Sequence, residues 1–139
     1  MGLEYFTDVN GNNAPIDKAL YVVLTENTTL TNDQSGIIFG IGTDAITVTL
    51  PPTKNGVEFS FINIGAAGFN IITVSPQASD GIAGTITLAA SVVTRVGTVN
   101  TDIVNTKATS TLGNSLKIVG TGVAGTSAWI IQSSTGIWA

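Results

Sequence analysis

ITVTLPPTKNGVEFSFINIG, residues 46–65, carries the pattern that decides the fold. In its first run Ile46, Val48 and Leu50 fall on one face, with Thr47 and Thr49 on the other. That two-residue period is a β-strand with one face in a core. The turn residues PPTKNG follow, so the two runs read as a hairpin, with Pro51-Pro52 ending the ladder before the turn. In the second run Val57, Phe59 and Phe61 share one face and Glu58 and Ser60 the other. At Phe61-Ile62 the apolar side changes, and Ile62 and Ile64 take the opposite face. A bulge, or a strand leaving one sheet for another layer, would explain the switch. Ile62 and Ile64 are therefore expected to pack on a second layer or on a neighbouring subunit.

The same grammar extends outward. LYVVL (20–24), GIIFGIG (36–42), FNIITVS (69–75), GTITLAA (84–90) with SVVTRVGTV (91–99), and NSLKIVG (114–120) with SAWIIQS (127–133) all read as strands. The last two pairs are expected to be hairpins. β-Branched residues dominate, turn clusters recur at short intervals, and no stretch reads as a helix of ten residues. The expected fold is all-β, a single-domain sandwich or barrel-like structure over residues 20–139. Residues 1–19 precede it as an arm. DAITVTLP, FNIITVSP and GTITLAA resemble one another, but no fixed period relates them. They are read as recurrent strand patterns and not as a solenoid.

The composition is unusual for a soluble domain. Of the 139 residues, 43% are hydrophobic and only 10% charged, against about 25% charged in an ordinary domain. Thr, Ser, Asn and Gly replace the charge, so few ions need desolvating when such a surface meets another. The net charge is −4, and the five basic residues, Lys18, Lys54, Arg95, Lys107 and Lys117, are scattered. A nucleic-acid partner is not expected, because phosphate binding needs clustered cations. No apolar run approaches the roughly 20 residues of a spanning helix, so no membrane role is expected. The N-terminus lacks the basic and apolar regions of a signal peptide, and position 6 is Phe where a myristoylation signal needs Ser or Thr. Synthesis in a cytoplasm is the expectation.

Chemistry-bearing residues are sparse. There is no His and no Cys, which removes the commonest general base, the thiol nucleophile and the usual zinc ligands. The nine carboxylates include no pair close in sequence. GTGVAG (120–125) matches the spacing of a dinucleotide-binding turn, but it leads into a strand-like run and reads as a hairpin loop. Asp80-Gly81 reads as a tight turn. No catalytic residue, cofactor or metal is expected, and the protein is expected not to be an enzyme. Trp129 is expected in the core. Leu3, Tyr5, Phe6 and Trp138 are the candidate contacts with partners, since aromatic residues anchor interfaces.

From about residue 44 onward the chain resembles a pattern of tailed-phage virion proteins. The carrying features are Leu50-Pro51, the Gly-led strand Gly56 to Asn63, Ile72 to Pro76, the Asp80 to Gly84 turn, and Trp129 near the end. The resemblance is to small head decoration proteins, with a strand style shared by tail-fibre and tailspike domains. It implies a homotrimer on the outer surface of a phage head, bound to the major capsid protein and clamping the shell against DNA pressure. The arm, through Leu3, Tyr5 and Phe6, would grip the capsid. The alternative it implies is a receptor- or glycan-binding domain of a tail fibre or tailspike.

Overall fold

Residues 46–65 do not form a hairpin. The computed structural model describes the backbone of residues 5–7 and 13–15, and then residues 20–87 and 91–139. In it Ile46–Thr49 and Glu58–Asn63 lie in different sheets. The PPTKNG segment carries the chain from one layer to the other, turning at Gly56 with φ +81°. The physical reason lies in partners further along the chain. Ile46 pairs with Ile72, and Ser60 pairs with Ile38, each in a parallel ladder.

In chain order the strands are β1 (Tyr5–Thr7), β2 (Asn13–Pro15), β3 (Tyr21–Leu24), β4 (Thr28–Thr29), β5 (Ile38–Ile41), β6 (Ile46–Thr49), β7 (Glu58–Asn63), β8 (Ile72–Ser75), β9 (Asp80–Thr87), β10 (Val92–Arg95), β11 (Ile103–Asn105), β12 (Ser115–Gly120) and β13 (Gly125–Thr135). The first two form a separate antiparallel pair. The rest build a seven-stranded sheet of order β10-β9-β13-β12-β7-β5-β3 and a four-stranded sheet of order β11-β8-β6-β4. Single-turn 3-10 helices occur at Asn32–Gln34 and Lys107–Thr109.

From β3 to β8 the chain changes sheet at every strand, and neighbours within each sheet run parallel. This is a short two-layered coil. DAITVTLP and FNIITVSP are successive turns of it, stacked in register from Ile46 opposite Ile72 to Thr49 opposite Ser75. Their likeness thus marks stacked positions, a correction to the reading of mere strand grammar. Unequal connections, one containing a 3-10 turn, hide the period. From β9 onward the pairing is mostly antiparallel, and the hairpins β9–β10 and β12–β13 form as expected. The second inserts between β7 and β9 and ties the coil to the rest of the large sheet.

The core lies between the sheets. Phe39, Phe59, Phe61, Leu116, Ile118 and Trp129 from the large sheet meet Ile46, Val48, Ile72, Val74 and Ile103 from the small one. Phe39 stacks on Phe61 with ring centroids 5.9 Å apart, and Phe59 tilts against Trp129 at 5.6 Å. Burying each such ring stabilises the fold by about 1.5–3 kcal/mol relative to leaving it in water.

The expected switch of apolar face in β7 is also corrected. Ladders to β12 and β5 run through it without a register shift. Phe59, Phe61 and Asn63 all point inward, and Ile62 faces outward. The sequence pattern breaks because a polar residue, Asn63, occupies an inner position. Trp138, expected at a subunit contact, is buried in its own chain. The tail pairs with β11, Val104 N–H donating to Ala139 O at 2.8 Å and Ala139 N–H returning to Val104 O at 2.9 Å. That pairing turns the indole inward, where its N–H donates to Thr135 O at 3.2 Å.

Candidate functional site

The outer face of the parallel half of the large sheet is apolar. Register places Tyr21 beside Ile38, and Val23 beside Gly40 and Ile62. These side chains alternate with the inward Leu24, Phe39 and Ile41. Leu20, Tyr21, Val23 and Ile38 remain 40–49% exposed, and Ile62 and Ile64 are half-buried. Tyr21 lies over Gly40, where any Cβ would collide with the ring. The strip ends at an ion pair on the same face, Lys117 to Glu58 at 3.7 Å. Parallel strands normally carry a cover on both faces, and this strip has none among the described residues.

Of the partner-contact residues expected from sequence, Ile62 belongs to this strip and Ile64 lies just past the end of its strand. Leu3 lies outside the described residues. Tyr5 and Phe6 are described as backbone, opposite Pro15 and Ala14. Tyr21, Val23 and Ile38 were not singled out by sequence reading. The signal for them was that LYVVL and GIIFGIG are apolar on both faces, which suits parallel strands covered on both sides.

A buried amide network closes one end of the sandwich. Asn63 Nδ2 donates to Asn105 Oδ1 at 3.0 Å, and Asn105 Nδ2 donates to Asn114 Oδ1 at 3.2 Å and to Ile137 O at 2.9 Å. Asn114 Oδ1 also takes the Thr111 N–H, and Asn63 Oδ1 takes the Gly65 N–H. The network joins β7, β11, the loop before β12 and the tail.

On the surface near that end, Lys107 is ion-paired with Asp44. The Lys107 ammonium, then the Ile71 N–H, hold the Asp44 carboxyl below its usual range. A depressed carboxyl contributes stability that is present above the unfolded value, near pH 4, and lost as pH falls through the lower folded value. Lys107→Ala should return the Asp44 titration, followed by carboxyl NMR, toward the ordinary aspartate range. An unchanged midpoint would show that the pair is not formed in solution.

At the other end a cleft of about 340 Å³ opens between the Pro52-Thr53 turn, the loop before β9 and the glycine loop 120–125. Its floor is Asp80, only 3% exposed, whose Oδ2 accepts the Thr53 N–H at 2.8 Å. The GTGVAG spacing therefore lines a cleft as well as joining a hairpin. Beside it the β13–β9 register shifts between Gly125 and Trp129. Gly81 and Gly97 both back onto the Thr126 carbonyl, leaving no room for a Cβ.

Among the described residues no three His, Cys, Asp or Glu side chains converge as metal ligands, and no helix is long and apolar enough to cross a membrane. Comparison with protein-family models and with curated proteins finds no match.

Proposed function

We propose that this chain is a structural virion protein, a homotrimer that decorates the outer surface of a phage head, binds the major capsid protein and strengthens the shell. The observation that carries the assembly reading is the apolar strip of Tyr21, Val23, Ile38 and Ile62, which no other described element covers. Covering it would add association free energy at about 25 cal/mol per Å² of apolar surface. The low surface charge supports the same reading, because little desolvation opposes contact. The placement on a phage head rests on the sequence resemblance.

A three-fold ring is heterologous, so each strip must meet a different patch of the next subunit. The opposite edge of the same sheet offers one, with Val92 67% and Val96 83% exposed. Light scattering should give three times the chain mass of 14.2 kDa, and the protein should co-sediment with purified heads. A species of single-chain mass at high concentration would overturn the trimer; recovery on tails alone would overturn the head assignment. The receptor-binding alternative expects an aromatic platform. The exposed rings Tyr21 and Phe69 sit on separate elements, β3 and the loop before β8.

A further inference from the structure

We propose that the Asp80 cleft receives a cationic nitrogen group, the guanidinium or ammonium of a basic side chain on a partner protein. The source of the group rests on the assembly reading, whereas the chemistry of the cleft stands without it. Asp80 is buried at 3% exposure, yet among the described residues no cation pairs with it and one N–H, that of Thr53, reaches its carboxylate. The ion pairs of the described chain are made elsewhere, by Lys107 with Asp44 and Lys117 with Glu58. Arg95 is directed to the carbonyls of Ile82, Thr101 and Asp102. Buried charges are normally paired, because an uncompensated one is costly to hold out of water.

The remaining groups of the cleft favour a donor. Gln77 gives one of its two amide N–H groups to Leu50 O, and its oxygen remains as an acceptor. Thr53 Oγ1 is already used, donating to Ala128 O and accepting from Gly122 N–H. Ser79 lines the cleft with no hydrogen bond to its hydroxyl among the described residues. Two acceptors, one of them charged, and one hydroxyl match a group that only donates. A calcium ion would need about 6–8 oxygens and normally several carboxylates, and a neutral sugar would leave the charge uncompensated. The backbone beside Asp80 is closely packed. Gly81 and Gly97 are pressed against Thr126 beside the register shift, and such irregularities commonly re-aim side chains at sites.

The test is an NMR titration of the isotope-labelled full chain with N-acetyl-arginine methylamide, with calcium chloride and methyl glucoside in parallel. The arginine probe should shift the Thr53, Asp80 and Gly122 amides saturably. Asp80→Asn should weaken that binding by at least about tenfold, the lower end of the value of a hydrogen bond to a charged group. Ser79→Lys changes an exposed position and supplies the chain's own ammonium, so it should abolish probe binding in a folded protein even if Asp80→Asn does not fold. No saturable shift with the arginine probe, unchanged binding in Ser79→Lys, or tighter binding of calcium or the glucoside would overturn the proposal. None of these outcomes bears on the trimer, which is read separately by mass.

Discussion

Val23→Lys combined with Ile38→Glu is expected to turn the proposed trimer into folded monomers. Both side chains stand on the outer face of the large sheet, 49% and 43% exposed in the single chain, so the core loses nothing when they change. In an assembly they would be covered, and each introduced charge would then be stripped of water. The penalty for an imperfectly paired buried charge is several kcal/mol, and about 1.4 kcal/mol is a factor of ten in association. Subunit affinity should therefore fall by at least roughly a hundredfold. Sedimentation velocity reads the mass and circular dichroism reads the fold. Leu112→Lys, at 71% exposure and away from the strip, should leave the oligomer intact. A double variant that stays trimeric would show that the strip is not the contact. A variant that unfolds would show that the strip is covered within its own chain.

Asn105→Leu should destabilise the monomer by about 3 kcal/mol or more, because buried groups that lose a hydrogen-bond partner cost about 1–3 kcal/mol each. The substitution removes the acceptor of Asn63 Nδ2 and the donor to Ile137 O. Asn114 Oδ1 is partly spared, since it keeps the Thr111 N–H. The replacement is also more hydrophobic and similar in volume, so a simple burial argument predicts the opposite sign. Urea denaturation separates the two views: a raised midpoint would mean that the amide network contributes nothing net. The loss should be accompanied by fraying of the tail, visible as exposure of Trp138 in fluorescence, because Asn105 holds the tail through Ile137.

Strand character was legible along most of the described chain, since alternation such as Ile46-Val48-Leu50 depends only on which residues face oil and which face water. The all-β class, the core positions of Phe59, Phe61 and Trp129, and the hairpins β9–β10 and β12–β13 follow from that local chemistry. Partner choice did not. PPTKNG looks the same whether it returns a strand beside its neighbour or passes it to the opposite layer. What selects the second course is the parallel pairing of Ile46 with Ile72 and of Ser60 with Ile38. Asn63 was invisible as a core residue for a related reason. An amide is tolerated inside only when its partners are there, and its partner Asn105 lies 42 positions away.

The candidate surfaces divide in the same way. Low charge, absent His and Cys, and scattered basic residues bound the chemistry without reference to the fold, because they are properties of composition. That Trp138 turns inward, that Tyr21, Val23, Ile38 and Ile62 align into one strip, and that Asp80 is buried beside a glycine loop with no cation on it among the described residues came from folding alone. Each depends on residues far apart in the chain arriving at the same place, and periodicity records which face a side chain takes but not what the face meets.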